Sequence, residues 1–168
     1  MTHRTIACAT LLLLGSSATL RAQPQCSAEQ LRGKWSIATT GSALPTAPGP
    51  WTVGQTVPVV GAAVVTIDHN GNFTGPGSIV LGGAVLDYEM TGTFAVNSDC
   101  AGLMKYTVKL KGLSDVIPGY VERFILDLTH EEIVSVSIQS PLSKPMWLSV
   151  MKRISHVPSP VAWPDVTP

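Results

Sequence analysis

Apolar and polar residues alternate along most of this chain with a period of two, and no stretch beyond residue 22 keeps a helical period. The cleanest run is 102–111, where Met104, Tyr106, Val108 and Leu110 alternate with Lys105, Thr107, Lys109 and Lys111. Successive side chains leave a strand on opposite faces, so this run has one buried and one solvated side. Seven further β-rich runs are predicted at 33–40, 58–68, 73–81, 84–96, 120–128, 132–139 and 145–154. In 120–128, Phe124, Leu126 and Leu128 share a face; in 132–139, Val134, Val136 and Ile138 do. In 145–154 the alternatives Met146/Leu148/Val150 and Trp147/Ser149/Met151 look equally fit for burial. Turn chemistry separates the runs: His69-Asn70-Gly71-Asn72, Gly82-Gly83, Asn97–Ala101 and Thr129-His130-Glu131. Two longer connections, 41–57 with Trp51 inside it and 112–119, break the rhythm. Ser27, with Gln30 three residues on, predicts a short helical turn ahead of the first strand.

Consecutive strands joined by hairpins predict an all-β fold, an eight-stranded antiparallel up-and-down β-barrel, with a two-sheet β-sandwich as the alternative. In such a barrel the connections alternate between two ends. The short turns at 69–72, 97–101 and 129–131 fall at one end, with the start of the first strand. The long loops fall at the other, where a pocket mouth is expected. Trp51, Tyr120 and Trp147 then lie near the rim and Tyr88 just below it, unless these rings simply pack the barrel.

The beginning and end of the chain read differently. Residues 1–22 have the form of a signal peptide: His3 and Arg4, an apolar run from Ile6 to Leu14 broken by Gly15, Ser16 and Ser17, and a small residue, Ala22, at the cut, with Leu20 departing from the small residue usual three before it. That run is shorter than the ~20 residues a bilayer-spanning helix needs, so no membrane span is expected in the mature chain. The organisation is therefore a signal peptide at 1–22, a single barrel domain at 23–154 and a Pro-rich tail at 155–168. Secreted or periplasmic localisation follows. Two cysteines remain, Cys26 and Cys100, and an even pair after an export signal points to one disulfide rather than two buried thiols. Both fall at the short-turn end, where they can meet.

The chain is 45% apolar and 13% charged, with eleven basic and eleven acidic residues. A balanced surface excludes a nucleic-acid partner recognised through a basic face.

Gly33-Lys34-Trp35 resembles the G-x-W signature that opens the first strand of the calycin barrels, the lipocalins and avidins. The resemblance implies that a cation near the end of the last strand, Arg153 or Lys152, packs over Trp35. Cys26-Ser27 and Gly71-Asn72-Phe73-Thr74-Gly75 are similar to avidin segments. Ile37 and Gly77 stand where avidins carry a polar residue and a Tyr for biotin, so biotin binding is not implied. The 66–73 hairpin also resembles those of uncharacterised secreted bacterial proteins, some similar to allene-oxide-cyclase-like barrels.

Catalytic motifs are lacking, and no cofactor is implied. His69, His130 and His156 all fall near the short-turn end, yet no metal-ligand spacing links them, so no metal is expected. Asp68, Asn70 and Asn72 copy the opening of a calcium loop, but Phe73 and Ile79 stand where its Gly and Glu belong. Asp87 and Glu89 share the solvated face opposite Leu86, Tyr88, Met90 and Phe94. The leading expectation is a binding module holding a small apolar or amphipathic ligand inside the barrel. The candidate lining is Ile37, Tyr88, Met90, Phe94, Met104, Tyr106, Val108, Phe124 and Leu126, with Trp51 and Trp147 at the rim. An isomerase- or cyclase-like enzyme is the second expectation. It needs an inward ionisable group, and Glu122, in phase with Phe124, is the candidate. A filled structural or inhibitory barrel is the third.

Overall fold

The computed structural model describes residues 25–112 and 115–155. The expected signal peptide, most of the Pro-rich tail and His156 lie outside the described residues. A one-turn helix, α1 (Ala28–Leu31), leads into eight strands: β1 (Gly33–Pro45), β2 (Val57–Ile67), β3 (Asn72–Leu81), β4 (Ala84–Val96), β5 (Ala101–Leu110), β6 (Val116–Leu126), β7 (Glu132–Gln139) and β8 (Ser143–Ser155). Each strand pairs antiparallel with its sequence neighbours, and β8 closes on β1, so the sheet is a closed up-and-down barrel. Closure satisfies both edges of every strand, which a sandwich would leave open.

Strand ends depart from the sequence reading where small residues hide the pattern. The first strand runs on to Pro45 because Gly41 lies against the β8 backbone, where a Cβ would meet the Met146 carbonyl oxygen at 2.4 Å. That close approach lets the pairing continue to Pro45 opposite Ser143. β6 starts four residues early, at Val116. Pro118 and Gly119 fit within it because the β5–β6 register shifts between Tyr106 and Val108. β6 ends at Leu126, not residue 128. Asp127 accepts the backbone N–H groups of Glu131 and Glu132, both at 2.9 Å, and turns the chain. Leu128 is thereby left 73% exposed, off the inward face it was expected to share with Phe124 and Leu126.

The interior face of β8 is Trp147, Ser149 and Met151. On β7 the apolar side points out: Val134, Val136 and Ile138 are exposed, while Ile133 and Ser135 are buried. The interior divides into two apolar clusters. The larger fills the short-turn end and the middle, from Leu31, Trp35 and Ile67 up to Met90, Phe94, Met104 and Phe124. The smaller, Ala43, Val59, Leu81 and Trp147, lies towards the long-loop end, with Trp51 packed on it.

The short-turn end is sealed. Cys26 and Cys100 are at disulfide distance, with Cα atoms 5.0 Å apart. Trp35 is fully buried and donates its indole N–H to the Leu31 carbonyl at 2.7 Å. The Arg153 guanidinium lies 4.4 Å from the Trp35 ring centroid. It also donates to the carbonyls of Gln30, Arg32 and His130, tying α1, the β6–β7 turn and β8 together.

Candidate functional site

Between the two apolar clusters the packing opens into a cavity of about 80 Å³. Its polar floor is built from four adjacent strands, β5 to β8. Glu122 on β6 is 2% exposed and points inward, as its phase with Phe124 requires. Tyr106 is paired with Tyr120, two residues from Glu122, so it reaches the carboxylate diagonally across the β5–β6 ladder. Its hydroxyl donates to Oε1 at 2.9 Å. The Ser135 hydroxyl donates to Oε2 at 2.5 Å, and the Trp147 indole N–H stands 3.5 Å from Oε1. All three neighbours are neutral groups able to donate to the carboxyl oxygens. Ser137, opposite Glu122 in the β6–β7 register, has a buried hydroxyl without a partner.

The walls are aromatic. Tyr106 stacks on Tyr120 with centroids 5.0 Å apart and nearly parallel rings. Below, Phe73 and Phe94 lie 5.0 Å apart and Phe94 and Phe124 5.3 Å apart, so a file of rings runs from the packed core to the cavity. Trp51 is fixed by its indole N–H to the Ala47 carbonyl at 2.9 Å and brings the β1–β2 loop onto the cavity. Tyr88 enters from β4 across Gly77, where a Cβ would stand 2.5 Å from its ring. A side chain at Gly77 would therefore displace Tyr88.

All three tyrosines of the sequence meet here. Burial, then the Glu122 charge, then Tyr120 push Tyr88 up to about 12. Burial lifts Tyr120 to about 12 against an opposing hydrogen bond with Ser140. Tyr106 is raised well above the ordinary phenol value, by burial first and then by the charge and hydrogen bond of Glu122. The phenols therefore stay neutral donors and acceptors through the physiological range.

Of the candidate lining, the structure brings Tyr88, Tyr106, Val108, Trp51 and Trp147 onto the cavity, together with Tyr120 and Glu122. Ile37, Met90, Phe94, Met104, Phe124 and Leu126 belong to the packed cluster below it. Inward parity located both sets but not the level at which packing stops. Sequence reasoning missed the interior hydroxyls: Ser135, and Thr39, whose Oγ1 lies 2.9 Å from the Ser149 Oγ. On β7 the more apolar face drew attention away from Ser135.

The other candidate groups lie apart from the cavity. Asp87 and Glu89 are exposed, with Asp87 accepting from Ser78 at 2.5 Å and Glu89 opposite Lys109. They border a depression of about 660 Å³ on the barrel exterior. Asp68 turns the β2–β3 hairpin by accepting the N–H groups of Asn70 and Asn72, both at 2.8 Å. Among the described residues no group of three or more His, Cys, Asp or Glu side chains could hold a metal ion, and no helix is long and apolar enough to cross a membrane. Compared with protein families, with curated proteins and with solved structures, the chain finds no match.

Proposed function

We propose that this chain is a secreted or periplasmic calycin-like barrel that binds a small amphipathic molecule in the long-loop half of its interior. One observation carries the reading: the packing opens between the two apolar clusters and leaves an aromatic-walled cavity over a buried, hydrogen-bonded Glu122. A concave, mostly apolar space with a few convergent polar groups is the usual form of a small-molecule site. The G-x-W segment with Arg153 over Trp35 supports the calycin-like assignment. The apolar segment at Ile6–Leu14 and the Cys26–Cys100 pair support export to an oxidising compartment.

A second reading, an isomerase- or cyclase-like enzyme, draws on the same carboxylate. Glu122 is an inward ionisable group, within reach of a substrate in the cavity, and Tyr106 could relay a proton to it. Binding alone needs less of the site than catalysis does, and it ranks first.

The test is native mass spectrometry of the chain expressed with its own leader in an oxidising host. The binding reading expects a leader-free chain carrying a non-covalent adduct of small mass that denaturation releases. A chain that stays free of adducts after incubation with a panel of small amphiphiles would reject it.

A further inference from the structure

We propose that the cavity selects an organic cation, receiving the ammonium head of a small amphiphile at Glu122. The inference rests on the binding reading and adds the sign of the ligand's charge. Three features of the cavity carry it.

The first is a buried carboxyl group with no basic partner among the described residues. Glu122 is buried and its partners, Tyr106, Ser135 and Trp147, are all neutral. Among the described residues no Lys or Arg lines the cavity. Lys105, Lys109, Lys111, Arg123, Lys144 and Lys152 project outward, and Arg153 is committed to the sealed end. Neutral donors give a carboxyl group hydrogen bonds but no counter-charge. A buried charge without a counter-ion is costly, and a ligand cation relieves that cost.

The second feature is the wall. The rings of Tyr88, Tyr106, Tyr120, Trp51 and Trp147 line the space above the carboxylate, with Tyr106 and Tyr120 stacked on one another. Aromatic faces carry negative electrostatic potential, so a ring of them attracts a cation and repels an anion. Wall and floor therefore favour the same sign.

The third feature is size and spare polarity. About 80 Å³ holds an ammonium group and a short stem, while longer apolar chain would follow the Trp51 side towards the loops. An ammonium offers three donors. Glu122 takes one, and the Tyr106 hydroxyl, which donates to Glu122, keeps lone pairs for another.

The experiment compares three probes with one alkyl chain and three heads, hexylamine, hexanol and hexanoate, by isothermal titration at neutral pH. Hexylamine should bind about tenfold or more tighter than hexanol, the discrimination expected of a hydrogen bond to a buried charge. Hexanoate should bind weakest. Glu122→Gln should abolish the preference for hexylamine while keeping hexanol binding. Should that variant fail to fold, Tyr120→Leu gives a second reading, because it keeps an apolar wall and removes a cation-attracting face. There the hexylamine-to-hexanol ratio should fall several-fold. Equal binding of hexylamine and hexanol would overturn the cation assignment and leave the binding site standing. Failure of all three probes to bind would overturn the binding reading, and this one with it.

Discussion

Tyr106 on β5 and Glu122 on β6 are held together at 2.9 Å in the barrel interior, diagonal neighbours across a ladder that shifts register just beyond them. That pair marks the level where the apolar core ends and the proposed site begins.

Tyr106→Phe removes the donor and keeps the ring. It should lower stability by about 1–3 kcal/mol in urea unfolding, because a buried carboxylate loses a hydrogen bond. It should also weaken hexylamine binding. Lys109→Ala, on the outer face of β5 opposite Glu89, should change neither by more than ~0.5 kcal/mol. Equal effects of the two substitutions would remove Tyr106 from the site.

The tyrosines provide a built-in probe. With Tyr88 and Tyr120 at about 12 and Tyr106 raised as well, near-ultraviolet phenolate absorbance should rise late in the folded protein. In denaturant it should rise near the ordinary value of about 10. A folded pKa above the unfolded one gives stability that is complete below the unfolded value and fades as pH climbs through the folded one. Stability should therefore fall between about pH 10 and 12. A folded titration matching the denatured one would place the rings in water.

At the sealed end, Arg153→Ala leaves the carbonyls of Gln30, Arg32 and His130 without their donor and uncovers Trp35. The cost should be on the order of 3 kcal/mol in urea unfolding. Arg153→Lys should recover little of it, since one ammonium cannot copy the planar fork that spans three carbonyls. A loss below ~1 kcal/mol in Arg153→Ala would show that the seal holds without it.

Much of this architecture is legible in the chain. The alternation at 102–111, the Asn-Gly and Gly-Gly turns and the parity of Cys26 with Cys100 specify the barrel and its sealed end, because each depends on local geometry. The early start of β6 and the extension of β1 are not legible. Pro118 and Gly119 read as loop until the bulge accommodates them, and Gly41 reads as loop until β8 lies against it. Glu122 is visible by phase alone. Its partner Ser135 is not, because β7 turns its more apolar side outward. The height at which packing gives way to a cavity depends on how rings from five strands and a loop fit together, which no local pattern encodes.

Acid should act through the turns. Burial works to raise Asp127, but hydrogen bonds from the Thr129 side chain and the backbone of Glu132, Glu131 and Thr129 outweigh it and bring it below the usual carboxylate value. A depressed folded pKa gives stability that is present above the unfolded value of about 3.9 and lost as pH falls through the folded one. The melting temperature should therefore begin to fall below about pH 4, by a modest amount because water reaches and screens the half-buried Asp127. Asp127→Asn should be less stable at neutral pH and lose less on acidification. An unchanged acid profile in that variant would clear Asp127 of the effect.

The most direct test of the proposed interior site is a heteronuclear NMR titration of the folded chain with hexylamine and hexanol, following the indole N–H signals and the backbone amides. The account predicts saturable shifts at Trp51, Trp147, Tyr88, Tyr106 and Tyr120, with the Trp35 indole, sealed beneath Arg153, unmoved. Shifts centred instead on Asp87, Glu89 and Lys109 along the outer depression, or no saturable shifts at all, would contradict it.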